Sequence, residues 1–298
     1  ADLFGHQISV GTLYNAQKYA YEQLAPFEID LKTLLTAATI AGFDETGFRV
    51  LTKCWWLHSC STSSHAYYEV HQKRGKEAMD KIGILPDFKG IAIHDFWRSY
   101  FKYNCTHALC NAHLLRELTF IHERYEQEWA KEFGELLLDM KKEKEKAINQ
   151  QHKSFSEPIL KLFEQKYDEL VNRGLLLNPF VPPKQVKGQK KKRGRHPKTK
   201  ARNLLERLSD FKNDIIRFAK NFEVPFDNNF SERDIRMMKL KQKISGCFRS
   251  KKGAQFFARI RSFIMSARKQ KCNVFKAVID IFEHNQVWKN IIKSDYAE

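Results

Sequence analysis

The stretch TIAGFDETGFRVLTKCWWLHSCSTSSHAYYEVHQ, residues 39–72, decides the fold, because the hydrophobic pattern changes there from helical to extended. It holds three short segments rich in aromatic and β-branched residues, with turn-forming residues between them, which predicts a three-stranded meander. GIAIHD (90–95) and HALCN (107–111) follow as further short strands, with predicted helices at 75–83 and 96–103. The pattern predicts an α/β fold with a mixed five-stranded sheet flanked by helices.

Helical periodicity dominates the rest of the chain. Residues 8–36 predict two helices that meet near Pro26, where a proline can open a new helix. Residues 114–174 keep apolar side chains at three- and four-residue spacing, opposite a charged face. Helical pattern returns at residues 201–220 and continues to the end of the chain. We therefore expect helices before and after the sheet, and a long helical region within the chain.

The net charge of +17 is concentrated in two stretches. Residues 170–205 contain eleven Lys and Arg and no acid, and residues 233–271 contain thirteen against one acid. Such concentration favours a polyanionic partner, most simply nucleic acid, whose phosphates are met by basic side chains with release of counterions. The structural alternative is a solvated charged face.

Other features of the composition indicate a globular protein of the cytoplasm. No run of about 18 apolar residues appears, and the first residues lack the layout of a signal peptide, so no membrane association is expected. Six scattered cysteines do not form a disulfide framework and fit reduced thiols. The chain starts with Ala inside a helical pattern, which indicates a fragment of a longer polypeptide.

Two aspartates end up near one edge of the predicted sheet. Because side chains alternate along a strand, Asp95 shares a face with Ile93, and Asp44 shares a face with Gly42. Neighbouring strands would bring the two carboxylates within bridging distance of a divalent cation. Taken singly, each Asp has the alternative role of a turn residue or a helix N-cap. His94 points to the opposite face from Asp95, which predicts a packing role.

The stretch VPFDNNFSERDIRMMKLKQK, residues 224–243, places three acids in a basic helix. Asn229 with Glu232, and Ser231 with Asp234, have the spacing of a capping box, which is the structural explanation for both acids. The alternative is that Glu232 projects toward the two aspartates while the helix binds a phosphate backbone. In that case Asp227 and Asp234 are capping or ion-pairing residues.

Six segments carry a family resemblance. They occur in this order: FDET, IAIHDFWRSY, HALCNAHLLREL, GRHPKTKARNLLERL, VPFDNNFSERDIRMMKLKQKISGCFRS and GAQFFARIRSFIMSARKQ. Together they closely resemble the transposase of the bacterial insertion sequence 66 family, a group of Asp-Asp-Glu (DDE) transposases with a ribonuclease H-like catalytic core. The resemblance covers roughly residues 8–285 and is specific, because the fragments lie in order and at plausible distances.

The resemblance implies that Asp44, Asp95 and Glu232 form the catalytic and metal-binding triad. It implies Mg²⁺ as cofactor, with Mn²⁺ as substitute and two ions when DNA is bound. The reaction would be phosphodiester hydrolysis at transposon ends, followed by strand transfer into target DNA. Asn228 and Asn229, a turn before Glu232, would support the site.

The resemblance also sets the expected domain organisation. We expect an N-terminal helical segment (1–38), a ribonuclease H-like core (39–115 and 222–272), a helical insertion (116–221) and a C-terminal helix (273–298). A basic loop at 184–202 falls within the insertion. The candidate contacts to DNA phosphate come from the helix of Glu232 and from this loop: Arg233, Arg236, Lys239, Lys241, Lys243 and Arg249, with Lys190, Lys191, Lys192, Arg193 and Arg195.

The segment CTHALCNAH, residues 105–113, offers four potential zinc ligands, Cys105, His107, Cys110 and His113. The spacing is too tight for a common structural zinc site. Cys110 with His113 matches a Cys-x-x-His element that the resembled family shares with other DDE transposases. There it is taken to organise the junction of strand and helix beside the active site, so a supporting role for both residues is the favoured interpretation.

The resemblance implies double-stranded DNA as partner, both transposon ends and target, and a homodimer or higher multimer assembled on it. It places the protein in the bacterial cytoplasm, associated with the nucleoid. Two alternatives remain open on sequence alone. One is a non-catalytic DNA-binding protein derived from such a transposase, and the other is a ribonuclease H-like nuclease that cuts without strand transfer.

Overall fold

Five strands form one sheet in the order β3-β2-β1-β4-β5. They are β1 (Ile40–Val50), β2 (Lys53–Ser61), β3 (Ala66–His71), β4 (Ile91–His94) and β5 (Thr106–Leu109). β1 pairs antiparallel with β2 and parallel with β4, and β2 pairs antiparallel with β3. The predicted α/β fold with a mixed five-stranded sheet is confirmed.

The computed structural model of the chain describes Gly5 and residues 7–180, 198–283 and 288–293. The chain divides into two compact units. The first unit comprises residues 1–107 and 228–298, and the second comprises residues 108–227, so the division falls within β5. No helix in the described part of the chain is long and apolar enough to cross a membrane.

Helices of the first unit cover the sheet. They are α1 (Val10–Gln23), α2 (Ala25–Ala37), α3 (Lys76–Ile82), α10 (Asn229–Ser245), α11 (Lys251–Lys269), α12 (Val274–Phe282) and α13 (Trp288–Lys293). Pro26 lies in the first turn of α2, as its fixed φ and missing N–H favour. One buried cluster contains Phe27, Phe43 and Phe263, and a second contains Phe48, Tyr68 and Met238.

The predicted helix at 96–103 is wrong. The structure has only a short 3₁₀ helix there, Tyr100–Lys102. The carboxylate of Asp95 accepts a hydrogen bond from the backbone N–H of Trp97 at 2.8 Å, which turns the chain directly after β4. Trp97, Tyr100 and Tyr103 pack in one buried cluster without forming a helix, so the apolar spacing that indicated a helix reflects the burial of a turn segment.

α10 buries one face, formed by Ser231, Asp234, Ile235 and Met238, which follow helical spacing. The helix begins at Asn229, and its N-cap residue is Asn228. The side-chain amide of Asn228 donates to the backbone carbonyl of Phe43 at 2.9 Å, so it binds β1 rather than the helix terminus. The N-cap is therefore one residue before Asn229, the cap residue of the capping-box alternative, and Asp234 lies on the buried face of the helix.

In its described residues, the second unit consists of helices and their connecting loops, apart from the end of β5. Its helices are α4 (Asn111–Tyr125), α5 (Glu128–Asn149), α6 (Glu157–Leu177), α7 (Lys200–Asp210), α8 (Lys212–Ile215) and α9 (Arg217–Lys220). Trp129, Phe133 and Tyr167 lie in its core, and the phenol of Tyr167 donates to the carbonyl of Leu208 at 2.7 Å. Thr199 caps α7 through its hydroxyl, which accepts from the N–H of Arg202.

Gly42 decides how closely α10 approaches β1. A Cβ at this position would lie 2.1 Å from Asn228 Oδ1 and 2.4 Å from Ser231 Oγ, so Gly42→Ala must displace the start of α10. We expect the substitution to lower the free energy of unfolding by about 1–3 kcal/mol, measured by denaturant melts. Gly47→Ala, in the same strand, is the matched control, because the nearest atom to its Cβ is 3.7 Å away. Equal stability of the two variants would contradict this packing.

Candidate active site

Asp44 lies in the middle of β1, with its side chain half-buried, and is neither a turn residue nor a helix cap. Its Oδ1 accepts a hydrogen bond from the backbone N–H of Glu45 at 2.8 Å. The pKa of Asp44 is raised to about 7, chiefly by burial and then by the negative charges of Glu45, Glu232 and Asp95. The Glu45 N–H opposes this shift. The three acids predicted as a triad therefore share one electrostatic environment.

Asp95 directly follows β4, which runs parallel to β1. The register pairs Gly42 with Ile93, so Asp95 comes two residues after Ile93 just as Asp44 comes two residues after Gly42. This parallel register is what brings the two aspartates to neighbouring positions, as the alternation of the strands predicts. The side chain of Asp95 is half-buried and is oriented by the hydrogen bond from Trp97.

Glu232 lies in the first turn of α10 and is half-buried. Its backbone N–H donates to the carbonyl of Asn228 at 3.1 Å, and Asn228 is itself bonded to Phe43, the residue before Asp44. The helix terminus is thus fixed against the strand that carries Asp44. The negative charges of Asp95 and Glu232 act on the carboxylate of Asp44, but the three acids do not form a set of oxygens that all lie within 4.8 Å of one another.

Asp234 anchors the inner face of α10. Its carboxylate, 4% exposed, accepts from Lys269 Nζ at 2.8 Å and from Ser61 Oγ at 2.9 Å. Lys269 also donates to the carbonyl of Thr62 at 2.8 Å. The expectation that Asp234 is an ion-pairing residue is confirmed. The pair joins α10, α11 and β2, and so fixes the helix that carries Glu232.

Glu45 and Arg74 form an ion pair beside Asp44 that sequence reasoning did not single out. The Glu45 side chain is 2% exposed; its Oε1 accepts from Arg74 Nε at 2.9 Å and Nη2 at 2.6 Å, and its Oε2 accepts from the phenol of Tyr100. Burial raises the pKa of Glu45, against the opposing effect of these hydrogen bonds. The sequence did contain a signal for this pair, because Glu45 is a second acid in a strand that is otherwise mostly apolar. A buried acid needs a partner, so a basic residue elsewhere in the chain could have been expected to pair with it.

His94 packs inside the first unit, as its strand position predicts. Its ring is fully buried, stacks on Tyr100 at 4.6 Å between centroids, and shares a 2.9 Å hydrogen bond with His107 Nδ1. Burial lowers the pKa of His94 to about 3, which keeps the ring neutral. The other nitrogen of His107 lies 3.3 Å from the carbonyl of Tyr103. Both nitrogens of His107 are therefore engaged, which disfavours a zinc site that includes it.

Cys110 and His113 lie at the start of α4, in the second unit. Cys110 is fully buried and occupies the N-cap position, and its carbonyl accepts from the N–H of His113 at 3.2 Å. The predicted junction of strand and helix is present here, since β5 ends at Leu109 and α4 begins at Asn111. The supporting role of the two side chains stays a prediction.

Most of the predicted DNA contacts that fall in the described residues are exposed. Arg233, Arg236, Lys239, Lys243 and Arg249 are solvent-exposed, and Lys239 Nζ donates to the carbonyl of Gly47 at 2.9 Å. Lys241 differs, because it is half-buried, bonds Ser245 Oγ at 2.9 Å and lies over the ring of Phe248. The other predicted contacts lie outside the described residues: Lys190, Lys191, Lys192, Arg193 and Arg195.

The strand order, the parallel pairing of β1 with β4 and the helices flanking the sheet define a ribonuclease H-like fold. The chain also matches the family model described as "Transposase IS66 family" over residues 1–256, most of its 298 residues. The protein therefore belongs to the IS66 family of transposases, which implies that it binds DNA and uses a divalent metal. A search of curated proteins found no significant match.

The buried pair of Asp234 and Lys269 gives a stability test. Asp234→Asn leaves the ammonium of Lys269 buried opposite a neutral amide, so we expect a loss of about 3–5 kcal/mol in the free energy of unfolding. Lys269→Met should cost a similar amount, and the double variant less than the sum of the two. The exposed pair of Lys18 and Glu22 is the control, and Glu22→Gln should leave the melting temperature nearly unchanged. Additive costs for Asp234 and Lys269 would contradict a coupled pair.

Proposed function

We propose that this chain is a DDE transposase that cleaves DNA at transposon ends and transfers the strand into target DNA, with Asp44, Asp95 and Glu232 as its catalytic residues. The observation that carries the proposal is the electrostatic environment of Asp44. Its half-buried carboxylate is influenced by Asp95, from the adjacent parallel strand, and by Glu232, from α10. The membership of the chain in a family of transposases supports the same assignment.

The donor set fits a hard divalent cation. Carboxylate oxygens are the ligands that Mg²⁺ and Mn²⁺ prefer, and burial together with nearby negative charges makes Asp44 costly to ionise unless a cation is present. Asp44, Asp95 and Glu232 would hold the metal. When bound, two such ions supply Lewis acidity toward the attacking oxygen and the leaving oxygen of an in-line phosphoryl displacement.

The basic residues of the first unit would position the DNA. Arg233, Arg236, Lys239 and Lys243 lie on the same helix as Glu232, and Arg249 follows it. Contacts from such side chains to phosphate orient a duplex without reading its sequence. We include the tract Lys190–Arg195 among the proposed DNA contacts because of its positive charge. We also propose a homodimer or higher multimer on DNA, since strand transfer of paired ends requires two active sites to act together.

The first test measures cleavage. A labelled duplex that carries a transposon end is incubated with the protein and Mg²⁺, beside Asp44→Asn, Asp95→Asn and Glu232→Gln. We expect each variant to lose at least about 10³-fold in nicking rate, equivalent to about 4 kcal/mol of transition-state stabilisation, while DNA affinity is kept. Asp87→Asn is the control, an exposed acid of the same unit.

The products of this experiment separate the candidate functions. Nicked and joined products that depend on all three acids support the transposase. Nicking without joined products favours a ribonuclease H-like nuclease. DNA binding without nicking, in the unaltered chain as well as in the variants, would overturn an enzymatic role and leave a DNA-binding protein derived from a transposase.

The second test measures the metal without activity. A ligand that binds only the folded state stabilises it by about 2.7 kcal/mol at a hundredfold excess over its Kd. We therefore expect Mn²⁺ to raise the melting temperature of the unaltered chain and of Asp87→Asn. Glu232→Gln and Asp95→Asn, which each remove one proposed ligand, should reduce that rise. An equal rise in all four proteins would place the bound Mn²⁺ elsewhere.

A further inference from the structure

The guanidinium of Arg74 lies over two indole rings. Its guanidinium carbon is 4.9 Å from the ring centroid of Trp56 and 4.2 Å from that of Trp97. Both rings are half-buried, and 39% of the Arg74 side chain is exposed. We name these three residues the Trp-Arg-Trp stack. Arginine and indole side chains both pack on aromatic faces, and every nucleic-acid base has such a face. A base could therefore pack on this group of side chains.

Each member of the Trp-Arg-Trp stack is positioned by a neighbouring strand or hydrogen bond. Glu45 Oε1 accepts from two nitrogens of Arg74, at 2.9 and 2.6 Å, and the Glu45 side chain is almost fully buried. Trp56 lies opposite Gly47 in the pairing of β1 with β2, and the Trp97 N–H is bonded to Asp95. A surface that is ordered before its ligand arrives loses little entropy on binding.

The position of the stack connects it to the proposed catalytic acids. Trp97 comes two residues after Asp95 and is bonded to its carboxylate. Arg74 binds the residue that directly follows Asp44. Two of the three guanidinium nitrogens of Arg74 bond Glu45, and Nη1 has no hydrogen-bond partner within the part of the chain that the structure describes. An Nη–H group of this kind can donate to a phosphate oxygen.

We propose that the Trp-Arg-Trp stack binds one unpaired nucleotide of the DNA strand next to the scissile phosphate. An indole ring contacts the base, and Arg74 Nη1 donates to the phosphate of the same strand. A paired base keeps its faces within the duplex stack and cannot make this contact, so the nucleotide must be unpaired or drawn out of the helix. This inference rests on the proposed function, since it places the strand beside Asp44 and Asp95.

Fluorescence tests the proposal on the full chain. The probe is a duplex with a short single-stranded tail that carries 2-aminopurine, whose emission reports stacking of the base. Its binding is compared with that of the blunt duplex. Ca²⁺ replaces Mg²⁺ in both measurements. Stacking of one base on an aromatic side chain is worth about 1–3 kcal/mol, so we expect roughly a 5- to 150-fold preference for the tailed duplex. Trp97→Ala should abolish the preference and the change in emission, and leave affinity for the blunt duplex unchanged.

Three further variants make the result specific. Trp97→Phe keeps an aromatic ring and should retain most of the preference. Arg74→Lys keeps the charge but lacks the planar fork, and should reduce the preference. Trp55→Ala is the matched control, since Trp55 precedes Trp56 in β2 and points to the other face of the sheet. It should behave as the unaltered chain does, provided that its melt confirms folding.

The outcomes distinguish this inference from the proposed function. Equal affinity of the unaltered chain for tailed and blunt duplexes would overturn the nucleotide site, whatever the nicking assay gives. A preference that survives Trp97→Ala would overturn it as well. A tail preference lost in Trp97→Ala supports the site even if no nicking occurs with Mg²⁺, and in that case only the catalytic proposal fails.

Discussion

The candidate site depends on the close approach of α10 to β1. Gly42 has no side chain, and the space that a Cβ would fill is occupied by Asn228 Oδ1 and Ser231 Oγ. In return, the amide of Asn228 donates to the carbonyl of Phe43. This contact fixes the first turn of α10 beside the strand that carries Asp44. Glu232 is therefore placed by packing against a sheet, which is more precise than placement on a loop.

The same helix uses its acids in two ways. Asp234, on the buried face, pairs with the ammonium of Lys269 and accepts a hydrogen bond from Ser61, and so holds the helix in place. Glu232, two residues earlier, contributes its negative charge to the environment of Asp44. Since buried carboxylates repel one another, the concentration of acids around Asp44 costs stability that the rest of the fold must supply. Sites of this kind are where functional residues are expected, because a structural role alone does not require the charges to converge.

Much of the fold could be predicted from sequence because its signals are local. The meander, the strand of Ile91–His94 and the helices on either side follow from hydrophobic period and turn residues. The helix predicted at residues 96–103 does not form, because the hydrogen bond from the backbone N–H of Trp97 to Asp95 turns the chain after β4, and the apolar spacing there reflects burial in one cluster. At the start of α10 the sequence left a capping box and a site residue open as roles for Glu232, and the structure places Asn228 at the N-cap with its side chain bound to β1.

The sequence by itself determined the sheet, the alternation that sets Asp44 and Asp95 on corresponding positions of adjacent strands, and the family to which the chain belongs. Only the tertiary structure decided which acids are neutralised. The partner of Asp234 is 35 residues away, at Lys269, and that of Glu45 is 29 residues away, at Arg74. Propensity and periodicity act over a few residues, whereas an ion pair between distant elements depends on how helices and strands pack, which no local pattern encodes.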